Sequence, residues 1–186
     1  MSVPVYSPED YGKVIARVQK KVADKNITLG RCLSETAIAE FERSCNIRLP
    51  QAFRMFLKEV GDGCESMIDG FRLNRLEEIE RKDLSRPFPL EKAWIWEDEA
   101  PGDGEARGRL KEKIEERVLQ GNLQLIDIGC CMTYQLIVTG PCRGEVWNFC
   151  DVGVQPCWER QDFLGWFELW LDDQEAVDYF KDYPYP

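Results

Sequence analysis

The chain has 186 residues, of which 44% are hydrophobic and 31% are charged. This length and balance predict one globular domain with a core of its own and exclude an intrinsically disordered chain. The net charge of −10 argues against a nucleic-acid partner, whose phosphates call for an excess of lysine and arginine, and against an anionic membrane surface.

The location and the kind of partner follow from the same charges. Charged side chains occupy the first twenty residues, where a secretion signal would need an uninterrupted apolar core. No apolar stretch approaches the ~20 residues of a membrane-spanning helix. We therefore expect a cytoplasmic protein. Its acidity would speed the encounter with a basic protein partner, although it can also serve only to keep the chain in solution.

Three segments in the first third of the chain have the apolar spacing of amphipathic helices. The first, 8–23, repeats apolar residues three or four positions apart, with acidic residues at its beginning and lysines near its end. The second is predicted to follow Ser34, a favourable N-cap, and to run through Cys45. The third opens with Pro50 and is predicted to end at the glycines that begin with Gly61.

The rest of the chain changes its apolar period. Segment 70–80 predicts a short strand and a helical turn, 84–108 predicts a loop insertion, and 109–119 predicts a helix. Three strands of an antiparallel meander are predicted at 122–129, 133–140 and 144–149. An aromatic helix is predicted to close the chain. The whole, 1–186, is therefore predicted to be a single α+β domain, with N-terminal helices packed on a mostly antiparallel sheet.

Two blocks of sequence carry a family resemblance. In LSETAIAEFERSCNIRLPQAFRMFLKEVGDG, residues 33–63, an amphipathic helix leads to a leucine-proline pair, a helix with aromatic residues and a turn at Asp62-Gly63. In GCCMTYQLIVTGPCRGEVWNF, residues 129–149, a glycine strand start precedes a hairpin, and an aromatic helix follows. In order and spacing these blocks resemble the SUKH superfamily, the Smi–Knr type domain, over about 33–171. Asp62 stands where the family frequently has asparagine.

The resemblance implies a SUKH-like fold and a role in protein binding. Bacterial members are mostly immunity proteins, which bind and neutralise a cognate toxin of a polymorphic or contact-dependent toxin system, and many of these toxins are nucleases. Fungal relatives imply the alternative, a regulatory protein-interaction scaffold without a toxin partner. Either role implies no enzymatic activity and no cofactor, and neither fixes the oligomeric state.

The cysteines and the missing histidines bear on catalysis and on metal binding. No cysteine pair has the spacing usual for zinc, which leaves only a cluster assembled across the fold. With no histidine, Ser-His-Asp and Cys-His catalysis are excluded, and a pair of carboxylates is the remaining catalytic alternative. Cys130 and Cys131, adjacent on a predicted strand, would point to opposite faces and could not clasp one ion. We expect both to pack as small apolar residues where that strand begins.

Aromatic and acidic side chains are the better candidates for contact with a partner. Trp94 and Trp96 lie two positions apart, so a strand would place both on one side, with an acidic rim after them. The alternative is that both tryptophans pack on the sheet. The candidate partner-binding residues are Asp62, Glu65, Trp94, Trp96, Glu97, Asp98, Tyr134 and Glu145. We predict no catalytic residue and no metal site, and we expect the partner to be a protein toxin with a basic surface.

Overall fold

The computed structural model describes residues 6–66, 70–96, 104–157 and 162–172, with the backbone alone at 104–107. The α-helices in these ranges are α1 (Tyr11–Asp24), α2 (Glu35–Cys45), α3 (Gln51–Glu59), α4 (Gly104–Val118) and α5 (Phe163–Leu171). The strands are β1 (Trp94–Ile95), β2 (Asn122–Gly129), β3 (Met132–Ile137), β4 (Val146–Phe149) and β5 (Gly153–Pro156). The predicted α+β class and the closing helix α5 are confirmed.

The N-terminal helices begin and end where their local chemistry allows. The Ser34 side chain accepts a hydrogen bond from the Ala37 backbone N–H at 3.1 Å and so caps α2. Asn46 ends this helix in the left-handed conformation, at φ 52°, which asparagine tolerates better than most residues. Pro50 precedes the first turn of α3, where a fixed φ favours a helix start. All three predicted helices are therefore present.

The five strands form one antiparallel sheet in the order β1-β5-β4-β3-β2. Strands β2, β3 and β4 form the predicted three-stranded meander, and β5, which was not predicted, extends it. Strand β1, which comes earlier in the sequence, pairs with the far side of β5. Alternation along β4 sends Val146 to one face and Trp147 to the other. Helices α1, α3 and α5 pack with the first face, while α4 and Phe88 pack with the second.

Aromatic rings and one ion-pair cluster hold the last helix against the first part of the chain. The Phe163 ring of α5 lies 4.7 Å from the ring of Phe53 and 4.9 Å from that of Phe56, both on α3. Glu168 of α5 is buried and accepts hydrogen bonds from Arg17 at 2.8 Å and from Lys21 at 2.9 Å, both on α1. The ion pairs join positions about 150 residues apart, and the ring contacts join positions about 110 residues apart.

Three sequence expectations differ from the structure. Segment 84–108, expected to be a loop insertion, contains β1 and the first turn of α4. Around residue 73 the expected strand is reduced to an isolated bridge between Cys64 and Leu73, followed by a short 3₁₀ turn. The prediction that Cys130 and Cys131 pack in the core was wrong, because both form the turn between β2 and β3 and both are exposed.

Candidate functional site: an acidic groove

An open groove of about 630 Å³ lies between α4, the strands β2 and β3, and the segment 80–86. Its lining residues are Glu80, Lys82, Asp83, Arg86, Glu112, Glu115, Glu116, Leu119, Asn122, Gln124 and Gln135. The lining contains five carboxylates and two basic side chains, which leaves an excess of three negative charges. The groove therefore offers an anionic surface on the side of the sheet opposite α1, α3 and α5.

The spacing of residues along α4 explains why one of its faces is acidic. Leu110, Ile114 and Val118 recur every four positions and pack against the sheet. Glu115 and Glu116 follow Glu112 by three and four positions, so all three lie on the adjoining face, where they are exposed along the groove. The helix thus buries an apolar stripe and holds the carboxylates on a rigid support.

The floor of the groove consists of uncharged amides from β2, the edge strand, and from its neighbour β3. Gln124 and Gln135 are directly opposite each other in the pairing of β2 with β3. The Gln135 side chain donates a hydrogen bond to the Thr133 hydroxyl at 2.8 Å. The Asn122 side chain donates to the Val118 carbonyl at 2.7 Å and so ties the end of α4 to β2. These bonds hold the floor in place without adding charge to it.

An apolar side chain stands at the rim of this acidic surface. Leu119, directly after α4, has 61% of its surface exposed, and Phe71 at 36% is the other exposed large hydrophobic side chain within the ranges described. A leucine beside carboxylates gives a surface that combines apolar contact with charge, which is the composition of many protein-binding sites. The groove therefore has both elements needed to recognise a basic, partly apolar segment.

Four of the eight residues predicted to contact a partner are buried and have internal roles. Asp62 accepts a hydrogen bond from the Leu76 backbone N–H at 2.8 Å, and burial raises the pKa of its carboxyl group. The Trp96 indole N–H donates to the Asp151 carbonyl at 2.6 Å. Their burial leaves these two side chains little surface to offer a partner.

Tyr134 and Glu145 are the other two buried candidates. The Tyr134 ring packs between α5 aromatics, with centroids 5.4 Å from the ring of Trp166 and 5.1 Å from that of Trp170. Glu145 accepts a hydrogen bond from the Trp147 indole N–H at 2.9 Å. We leave all four buried residues out of the proposed binding surface because each one supports the fold.

The remaining candidates lie away from the groove or outside the described ranges. Glu65 is exposed and forms an ion pair with Arg75 at 3.1 Å. The half-buried Trp94 ring lies 5.3 Å from that of Trp96, so the prediction that both share one side is confirmed. The acidic pair at 97–98 lies outside the described residues.

Of the eight predicted side chains, the six that the structure describes all lie outside the groove lining. Its acidic wall nevertheless has a signal in the sequence, because Glu112, Glu115 and Glu116 share one face of a helix that was predicted at 109–119. The opposite wall and the amide floor have no such signal, since the sheet brings them together from separate segments. The sequence interpretation looked for aromatic anchors and passed over this helix.

The described residues contain neither a metal-binding cluster nor a membrane-spanning helix. Within the ranges that the structure describes, no group of three or more histidine, cysteine, aspartate or glutamate residues is placed to hold a metal ion. No helix among the same residues has both the length and the apolar character needed to cross a bilayer. In comparisons with known proteins, no family model, no curated protein and no solved structure matches the chain.

Proposed function

We propose that this chain is an immunity protein of the SUKH type, which neutralises a cognate bacterial toxin by binding it. The sequence blocks 33–63 and 129–149 support the family, and the α+β fold agrees with it. The acidic groove is the observation that carries the proposal. A rigid anionic surface on an acidic protein is suited to cover a basic surface on another macromolecule.

The proposed mechanism is stoichiometric binding without bond making or breaking. The carboxylates of Glu112, Glu115 and Glu116 would pair with lysine or arginine side chains of the toxin, while Leu119 would supply an apolar contact at the rim. Exposed ion pairs contribute little affinity individually, so we expect charge to govern the rate of association and the apolar rim to govern its lifetime. Neither a cofactor nor a metal takes part in this binding.

We place this activity in the cytoplasm. The exposed cysteines Cys32, Cys130 and Cys131 are free thiols, which is the state that a reducing compartment maintains. An immunity protein also has to meet its toxin in the compartment where the toxin would act. A regulatory scaffold would use the same groove, and the identity of the captured protein separates the two roles.

The test begins with capture of the partner from the native host by the full chain, followed by identification and a toxicity assay. Binding is then measured for a groove variant, Glu112→Lys/Glu115→Lys/Glu116→Lys. The matched control is Glu9→Lys/Asp24→Lys/Glu40→Lys, at exposed positions outside the groove. Both variants change the net charge from −10 to −4, so they differ only in where the charge changes.

We expect the groove variant to lose affinity at least about tenfold more than the control, since like charges now oppose each other at the contact. It should also fail to protect cells from the toxin. Equal effects of the two variants would contradict a role for the groove. Capture of a protein without toxicity would contradict the immunity role and favour the scaffold.

A further inference from the structure

Three consecutive sulfur-containing residues lie at the turn between β2 and β3. They are Cys130, Cys131 and Met132. Both cysteines are exposed, and Met132, the first residue of β3, is half-buried. The five buried cysteines of the chain lie elsewhere, and Cys32 is the third exposed one. This turn therefore concentrates soft sulfur donors on the surface.

The backbone of this turn is unusual for cysteine. Gly129 pairs with Met132, so Cys130 and Cys131 are the two central residues of a tight hairpin. Their φ angles are 49° and 62°, the left-handed conformation in which hairpins normally place asparagine and glycine. Each cysteine costs about 1 kcal/mol there relative to a favourable backbone conformation. Within the described residues, neither thiol has a hydrogen-bond partner that would explain the choice.

The turn also removes the geometric objection to a shared ion. Successive side chains of a strand point to opposite faces, but Cys130 and Cys131 are not in a strand. Adjacent Cα atoms are about 3.8 Å apart, and in a turn with two left-handed residues the alternation of a strand no longer separates the two side chains onto opposite faces. Gly129, across from Met132, adds no side chain, and a Cβ atom there would meet nothing within 4 Å. The position across from Met132 is therefore open.

We propose that Cys130, Cys131 and Met132 form a binding site for one monovalent copper ion. Thiolate and thioether sulfur are the ligands that select Cu(I), whereas structural zinc requires four ligands, usually including more cysteine or histidine. No third carboxylate, histidine or cysteine joins the pair among the residues described. On binding, copper replaces the proton of each thiol, and two protons are released. This site is independent of the acidic groove.

The test is an anaerobic titration of the full chain with Cu(I) in competition with bicinchoninate. We expect the chain to bind one equivalent of Cu(I) and to show an ultraviolet absorption band from thiolate-to-copper charge transfer. Cys130→Ser and Cys131→Ser should each weaken binding by about 100-fold, and Met132→Leu by about tenfold. Cys32→Ser, which removes the other exposed thiol, should leave the affinity unchanged.

Circular dichroism of each variant shows that the fold is retained, since the replaced side chains are on the surface of a turn. Unchanged copper affinity in the variant Cys130→Ser/Cys131→Ser would overturn the proposal. Loss of the bound equivalent of Cu(I) in Cys32→Ser would also overturn it.

Discussion

Glu168 shows how this molecule keeps a charged carboxylate inside its structure. The residue is only 5% exposed, and burial alone would raise its pKa. Hydrogen bonds from Arg17, Tyr6 and Lys21 outweigh this effect and lower the pKa to about 2. The ionised form is therefore favoured in the folded state, and the ion pairs fasten α5 to α1.

This lowered pKa makes stability depend on pH. A carboxylate whose pKa falls on folding contributes stability above its unfolded pKa, and the contribution is lost as the pH falls through the folded value. We expect the free energy of unfolding to decrease between about pH 5 and pH 2. At neutral pH we expect Glu168→Gln to lower the free energy of unfolding by about 2 kcal/mol. The loss is smaller than for a fully buried ion pair, because Arg17 is half exposed and water screens its charge. Urea unfolding at a series of pH values measures both effects.

The comparison of wild type with Glu168→Gln isolates this one group. Burial raises the pKa of Asp62 and of Asp162, so these carboxyl groups contribute with the opposite sign. They are the same in both proteins, and the difference between the two pH profiles belongs to Glu168. An equally steep loss of stability in acid in the variant would contradict the assignment.

At the scale of elements, the segment before β1 packs closely against the end of β3. The Phe88 side chain is fully buried, and its ring lies 5.0 Å from that of Trp147. The Thr139 hydroxyl lies 2.9 Å from the carbonyl oxygens of both Leu84 and Arg86, which share its one proton. Gly140 permits this contact, because a Cβ atom at its position would lie 2.2 Å from the Phe88 carbonyl oxygen.

Two glycine substitutions should therefore have opposite effects. Gly140→Ala forces a side chain into the Phe88 backbone at a φ of 103°, and we expect it to cost at least about 2 kcal/mol. Gly12→Ala, exposed in the first turn of α1 with nothing within 4 Å of a Cβ atom, should stabilise by about 0.5 to 1 kcal/mol. Thermal unfolding of both variants tests the pair. Destabilisation by both, or by neither, would contradict this packing.

Local chemistry decided which elements could be predicted from the sequence. The cap at Ser34 and the proline before α3 act on neighbouring residues, so helices α2 and α3 could be predicted closely. Strand β1 has two residues and exists because β5, almost sixty positions later, pairs with it. The cysteine turn lacks the asparagine and glycine that identify such hairpins, which is why it was predicted to be strand. The groove likewise depends on tertiary structure.

At the scale of the whole molecule, the net charge of −10 acts at distances longer than any single contact. Electrostatic steering falls with ionic strength, since the screening length is about 10 Å at 0.1 M salt and about 3 Å at 1 M. We expect the association rate with the captured partner to fall about tenfold or more over this range, with a smaller change in the dissociation rate. Stopped-flow measurements test this expectation. An association rate that ignored salt would contradict charge-guided binding.

The ties between α1 and α5 also determine when this chain can fold during synthesis. Tyr11, near the N-terminus, donates a hydrogen bond to Asp162 across 151 positions, and Arg17 reaches Glu168 over the same separation. A ribosome has to release nearly the whole described chain before these contacts can form. Until then the rings of Phe53 and Phe56 have no α5 aromatics to cover them. The nascent protein therefore leaves these rings without their final contacts, and completes its helical layer only after translation of α5.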